Sequence, residues 1–317
     1  MQYSVEIIYC FKMANSLGPL LRLEGLSLGQ LPPGASKPGE AAARTDLTQV
    51  EDFIRRLLAE AIPFIDGVAP KSGAKPSWKK RSGVKRYESS EGAVYSYEHH
   101  IPGTELDKIA EPKKSSKKRS DENWYCRYSV HRNAAEKGTA SWDEFVHTFR
   151  DHHYESEEQF ASTVIGARAA MLWDTSNMTV EVEGQRWANM KMKVVEMKHQ
   201  IDPRPLNGRT FPVLQLTTSL DDLDELIVVS LPVKDFSSSS YAEYARDRSL
   251  VVGMYASVER IRVLPQSGEI EWIMATTSDA KGVLPQWMQN LAVPSKITED
   301  VDLFMKWIVT TRNSKAN

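Results

Sequence analysis

The chain has 317 residues, of which 41% are hydrophobic and 26% charged, with a net charge of −2. That length holds one large domain or two ordinary ones around a true core, and the near-neutral charge excludes whole-molecule attraction to nucleic acid. The cysteines are only Cys10 and Cys126, in no C-x-x-C or His/Cys pattern. This excludes a disulfide scaffold and a patterned zinc site and implies a reducing, cytoplasmic compartment.

No run approaches the roughly 18 apolar residues of a membrane-spanning helix. The start, MQYSVEIIYCFKMAN, lacks the regions of a signal peptide. Residues 1–45 read as a flexible leader: Met13 is a second plausible start, and LPPGASKPGE denies a regular element. Asp46 then offers an N-cap, and Leu47, Val50, Phe53, Ile54, Leu57, Leu58 and Ile62 recur at helical spacing, predicting a helix over 46–65. Pro63 and Gly67 end it.

Basic loops are expected at 70–83 and 108–122, around Lys79-Lys80-Arg81 and the run from Lys113 to Arg119. Between them, 84–88 and 93–99 alternate as a hairpin. The segment WYCRYSVH reads as a strand. In SWDEFVHTFR, Ser141 caps a short helix with Trp142, Phe145, Val146 and Phe149 on one face. A second helix is predicted over 155–173, from Phe160, Val164, Ala167 and Met171. Strands follow at 186–200, 210–219, 225–232, 250–264 and 269–276, the last two joined by Pro265-Gln266-Ser267-Gly268. A turn at 285–291 and a helix capped by Ser295 close the chain, with Ile297, Val301, Phe304, Met305 and Ile308 on one stripe. Residues 313–317 read as a frayed tail. No internal repeat is visible.

Sequential long strands pair with their neighbours, and the resulting sheet needs an apolar cover, which the last helix supplies. In the strand around 187–195, Met190 and Met192 alternate with Lys191 and Lys193. In the strand from 250, Val252, Met254, Ala256 and Val258 share one side, and Val251, Tyr255 and Ile261 the other. Adaptable methionines suit either a core or the wall of a ligand cavity.

The stretch YASVERIRVLPQSGEIEWIMATTSDAKGVLPQWMQNLAVPSKITEDVDLFMKWI resembles the end of a START-type (steroidogenic-acute-regulatory-related lipid transfer) domain. It has a long strand, a hairpin, a second long strand, a Gly-x-Leu-Pro step at Gly282 to Pro285, and a closing helix. Upstream, WYCRYSVH, SWDEFVHTFRDHHYESEEQF and WANMKMKVVEMKHQI are similar to a START-like family found in fungi. The resemblance covers about residues 84–312 and implies an α+β helix-grip fold. In that fold a curled antiparallel sheet is closed by a long C-terminal helix around an apolar cavity, within a single domain over 46–312. The ligand implied is a hydrophobic small molecule: a lipid, a sterol or a polyketide-like compound.

On that reading the cavity wall comprises Arg127, His131, Met190, Met192, Met254, Ala256, Val258, Trp272, Val301, Phe304, Met305 and Ile308. Arg127 and His131 are an even number of residues apart and so share a strand face. With Glu259 they form a polar cluster able to orient a ligand's polar end. His147, His152 and His153 with Asp151 match no metal-ligand spacing and read as a solvated helix end, so no metal or cofactor is expected. His99 and His100 read as a surface pair at a strand end. Trp78 beside Lys79, Lys80 and Arg81 suits transient contact with anionic membranes; solvated loops are the blander reading.

Motifs for nucleophilic hydrolases, P-loop enzymes and dinucleotide enzymes are missing. With the resemblance, the sequence points to binding or transfer of a hydrophobic small molecule, and a monomer is expected. A cyclase or isomerase of the same fold, or a ligand-controlled regulatory module, remains as an alternative.

Overall fold

The computed structural model describes residues 18–40, 47–73, 75–109, 118–200, 207–281 and 286–316, with side chains of the last stretch over 292–314. Helix α1 (Leu47–Asp66) forms where the periodicity placed it. Val50, Phe53, Ile54, Leu57, Leu58, Ala61, Ile62 and Ile65 are buried along one face. After it come β1 (Lys79–Lys85), β2 (Val94–Ile101), α2 (Gly103–Ile109), β3 (Glu122–His131) and α3 (Trp142–Phe145). A π-helical turn (Val146–Asp151) leads into α4 (His153–Phe160). The chain continues through β4 (Val164–Trp173), β5 (Val180–Val182), β6 (Gln185–His199), β7 (Arg209–Leu220), β8 (Glu225–Pro232), β9 (Val251–Val252), β10 (Met254–Val263) and β11 (Ile270–Asp279) to α5 (Gln286–Ala316).

All the strands join one sheet of 11, in the order β1-β2-β3-β11-β10-β8-β7-β6-β4, with β5 on β6 and β9 on β7. Pairing along this path is antiparallel; only the short β9 runs parallel to its neighbour. The sheet is curled and open rather than a closed barrel, and the C-terminal helix lies over β2, β3 and β11.

Each face has its own core, as a sheet covered on both sides requires. On one face, α1 and the 18–40 segment pack over Trp124, Met192, Leu214, Leu216 and Val258. On the other, Val301, Phe304, Met305 and Ile308 of α5 meet Phe145, Phe149, Ile261 and Trp272.

Several expectations are corrected. Residues 18–40 of the expected flexible leader are part of the first core: Leu20, Leu21 and Leu26 are buried. Leu26 bridges Val233, and Gly25 makes the approach possible, with φ of +68° and no room for a Cβ against the Pro232 carbonyl. Pro and Gly exclude regular elements there without excluding order. Residues 1–17, including Met13 and Cys10, lie outside the described residues.

The expected basic loop at 70–83 carries an edge strand from Lys79, and much of the 108–122 loop (110–117) is outside the described residues. The helix expected over 155–173 stops at Phe160, and 164–173 is β4, paired with β6. The C-terminal helix starts no new segment at Ser295. It runs through Pro294, which removes one backbone donor without ending it. It also extends to Ala316, where a frayed tail was expected. Arg312 fixes that end, bonding Glu144 at 2.6 Å, the Glu136 carbonyl at 2.6 Å and the Thr139 carbonyl at 2.9 Å.

Candidate functional site

Residues paired across an antiparallel ladder point to the same face. One cross-strand row is Cys126–Ala275–Val258–Val229–Leu216–Met192. It is wholly apolar, and none of its members is more than 1% exposed. This row lies under α1. The two adjacent rows face α4 and α5. They are Arg127–Met274–Glu259–Val228–Thr217–Lys191 and Tyr125–Thr276–Ser257–Ser230–Gln215–Lys193.

This polar face is not sealed. Tyr255, Ser257 and Met274 sit on interior strands and still keep accessible surface. So do His153 and Glu157 on α4 and Asp300 on α5. Burial is nevertheless the largest influence on the ionisation of Glu157, Tyr255 and Asp300. These partly exposed groups, on β10 and β11 of the sheet and on α4 and α5 packed over it, surround the place called the recess below.

At one end of the recess Glu259 collects three donors. Arg127 Nη2 donates to its Oε1 at 2.9 Å, Trp272 Nε1 donates to the same oxygen at 2.6 Å, and His153 Nε2 meets Oε2 at 3.4 Å. The Arg127 guanidinium also stacks 3.9 Å from the Trp272 ring centroid. Two of its nitrogens, Nε and Nη1, are buried and have no hydrogen-bond partner among the described residues. Burial pushes the Glu259 carboxyl up, but the His153 hydrogen bond and the Arg127 charge outweigh it and leave the carboxyl below its ordinary value.

His153 is the reciprocal case. Burial opposes its charge, and Glu259 and Glu157 prevail, so the imidazole sits above its usual range. Its Nδ1 lies 3.2 Å from Gln215 Nε2, while Gln215 Oε1 has no partner among the described residues. Turning that amide over would set Oε1 against Nδ1, where an imidazolium proton meets an acceptor. The cluster thus accommodates both charge states of His153.

Asp300 is the opposite of Glu259. Burial raises its carboxyl to about 7, with Arg127 lowering it and Glu157, Glu259 and Glu299 adding to the rise. Glu157 is also raised by burial, His153 partly offsetting it.

Of the residues expected to line a cavity, Arg127, His131, Trp272, Val301, Phe304, Met305 and Ile308 gather on the α5 side. Trp272 and Phe304 are buried in an aromatic cluster with Phe145 and Phe149, at centroid separations of 5.0–5.3 Å. His131 is sealed away with its Nε2 2.9 Å from Ser129 Oγ. Burial, then the Arg127 charge, lowers its imidazole to about 4.

Met190, Met192, Ala256 and Val258 are in the core under α1, and Met254 shares the strand parity of the last two. They do not meet the α5 stripe. Alternation identified the apolar face correctly, but α1, not α5, covers it. The face toward α4 and α5 mixes polar Ser257, Gln215 and Glu259 with apolar Val228, Met274, Val195 and Val213.

Trp78 is corrected as well. It is 5% exposed, its Nε1 donates to the Phe64 carbonyl at 3.3 Å, and its ring lies 5.3 Å from that of His99. It cannot anchor a membrane interface; His99 is half-buried beside it, and His100 is exposed. Lys79 and Arg81 pair with Glu98 at 2.7 and 2.6 Å, and Lys80 lies over the Tyr95 ring at 4.3 Å.

His153 was expected at a solvated helix end and instead reaches Glu259 and Gln215, while Glu157, Gln215 and Asp300 escaped the sequence reading. His153 and Glu157 stand at i and i+4 on α4 and so share a helix face, which was the one signal available. Among the described residues no His, Cys, Asp and Glu group could hold a metal, and no helix is long and apolar enough to cross a membrane.

A family model described as "Protein of unknown function (DUF3074)" matches residues 124–308, more than half of the chain. No curated protein matches. Solved structures with a similar chain path include human STARD10, at 13% identity and a TM-score of 0.46, covering 88% of this chain and 85% of that one. Human StAR-related lipid transfer protein 5 is matched at 12% identity and a TM-score of 0.49, covering 82% and 99%. The lipid transfer and protein localization domain of human StarD13 is matched at 12% identity and a TM-score of 0.42, covering 73% and 88%.

Proposed function

The chain belongs to the family of proteins of unknown function DUF3074, and for it we propose the binding of a hydrophobic small molecule with at least one polar group, held between the sheet and α5. The observation that carries this reading is the asymmetry of the two faces. Under α1 the central positions of the sheet are closed to solvent, whereas Tyr255, Ser257 and Met274 remain accessible on the other face. A face built only for stability would be packed to the same density as the other. Concave sites with a few convergent polar groups are where small ligands bind.

The polar group of the ligand would meet the cluster of His153, Glu259 and Asp300. The test is mass spectrometry of molecules released on denaturing the purified protein, beside Tyr255→Trp, which fills the recess. The parent should release a small organic molecule and the variant should not. An equal load on the folded variant would place the ligand elsewhere.

A second reading rests on the carboxyl pair. Asp300 is raised to about 7 while Glu259 is lowered, and carboxyls driven apart in this way suit acid–base work near neutral pH. The protein would then be a cyclase or isomerase. An altered structure in the released molecule, compared with the one supplied, favours that reading over a carrier.

A further inference from the structure

We propose that Ser82 is a site of phosphorylation by a base-directed protein kinase, one that selects serines preceded by Lys or Arg. The inference does not depend on the recess or on any molecule held there.

The tetrapeptide Lys-Lys-Arg-Ser occurs twice in the chain, at 79–82 and at 117–120. A kinase that reads positive charge does so with carboxylates in its cleft, which pair with the cations two and three residues before the serine. Up to the serine the two copies are identical. The fold separates them, because a kinase must also take several residues on either side of the serine into its cleft in extended form.

Ser82 meets that demand. β1 is an edge strand, and every residue of it except Arg81 is exposed. Lys80 pairs with Tyr97 and Val84 with Tyr95, so Arg81, Ser82 and Gly83 stand opposite the single residue Ser96. This is a bulge, with Ser82 at its centre and Gly83 at φ of +88°. The Ser82 hydroxyl makes no hydrogen bond among the described residues. Of the cations before it, the Lys79 side chain is 79% exposed and pairs with Glu98, and Lys80 lies over the Tyr95 ring. These are surface contacts, of a kind that a cleft lined with carboxylates replaces at little cost.

Ser120 is held in place. The Arg119 side chain is 10% exposed, gripped by Glu24 at 2.8 Å and Asp107 at 3.2 Å. A Cβ on Gly103 would lie 2.0 Å from the Arg119 carbonyl oxygen, so the backbone is wedged there. Asp121 accepts a hydrogen bond from the Gly103 amide at 2.9 Å. Glu122, two residues past the serine, is buried and accepts from the Leu23 amide at 3.0 Å and from Trp124 Nε1 at 3.2 Å. Drawing this stretch into a cleft would pull the start of β3 out of the sheet. Asp121 and Glu122 would also repel the carboxylates of the cleft, whereas Gly83 and Val84 follow Ser82.

The phosphoryl donor is a nucleoside triphosphate. The Ser82 oxygen attacks the γ-phosphorus of ATP, the bond from that phosphorus to the β–γ bridging oxygen breaks, ADP leaves, and the hydroxyl proton passes to the catalytic carboxylate of the kinase. The segment 79–86 carries Lys79, Lys80, Arg81, Lys85 and Arg86 and no acid, so a phosphate takes its formal charge from +5 to about +3. The attraction of this edge for anions falls accordingly.

The experiment incubates the whole protein with magnesium, ATP and the catalytic subunit of cAMP-dependent protein kinase, and follows each serine over time by mass spectrometry of peptides. Ser82 should be labelled faster than Ser120 by about tenfold or more, since only Ser82 is reached without unfolding. Lys79→Gln/Lys80→Gln should slow labelling of Ser82 by about tenfold or more, with the thermal melt unchanged because both side chains are exposed. An acid-directed kinase should leave Ser82 unlabelled. The comparison of the two serines within the parent protein needs no variant. Labelling of Ser120 as fast as Ser82, absence of labelling at Ser82, or labelling of Ser82 indifferent to loss of the two lysines would overturn the proposal.

Discussion

Glu259 sits 5% exposed beneath two helices and remains ionised because Arg127, Trp272 and His153 converge on it. Arg127→Met strips away the one fixed cation of that set. Breaking a buried pair costs about 3–5 kcal/mol, and urea unfolding of the variant should show a loss of that size. The double variant Arg127→Met/Glu259→Leu should be more stable than Arg127→Met alone, because it leaves no stranded charge. Asp300 behaves in the reverse sense. Its carboxyl titrates near 7 in the folded chain, against an ordinary value of 3.8. Between those values the folded protein holds a proton that the unfolded chain has released. Stability must therefore fall as pH rises through that window, and the penalty is complete above it. Asp300→Asn should leave stability unchanged at pH 4 and raise it at pH 8 by on the order of 2 kcal/mol, allowing for water in the recess. Parallel denaturation curves at the two pH values check this, and an equal effect at both would mean that Asp300 is not held neutral.

At the scale of elements, the end of α5 that follows Pro294 is core. Phe304 is fully buried, within 5.1–5.3 Å of the ring centroids of Phe145, Phe149 and Trp272. Phe304→Ala should cost about 3–5 kcal/mol and leave ligand affinity in the folded fraction nearly unchanged, which a thermal melt set beside a titration would show. The apolar stripe of α5 was legible in the sequence because helical spacing states which residues share a face. What lies opposite that face is a tertiary fact. The strand β4 was misread for a related reason: Val164, Ala167 and Met171 recur at intervals of three and four, and Ala has high helix propensity. Pairing with β6 overrides that preference, and register shifts near Gly166 and between Ala169 and Met171 break the alternation that would have betrayed a strand. Arg127 and Glu259 were readable as a pair because parity puts each on a definite face. His153 was hidden because it reaches the cluster through the packing of α4 on the sheet, which local spacing does not encode.

For the whole molecule, the division of the buried clusters between the two faces of the sheet separates stability from binding. Met192→Ala, in the α1 core, should cost about 2–5 kcal/mol with no change in ligand affinity, whereas Tyr255→Trp should abolish binding at little cost in melting temperature. A loss of affinity in Met192→Ala would mean that the faces communicate. The strand order has a temporal consequence too. β10 and β11 are the last two strands described, yet they lie between β3 and β8. As the polypeptide leaves the ribosome, β1–β3 and β4–β8 emerge as two separate ribbons, each with one naked edge that waits for residues 254–279. Such closure is slow and demands many distant contacts at once, and an unpaired edge invites the wrong neighbour. Nascent chains stalled before residue 254 should stay protease-sensitive and bind holdase chaperones, with both properties lost only once the final hairpin is free of the exit tunnel.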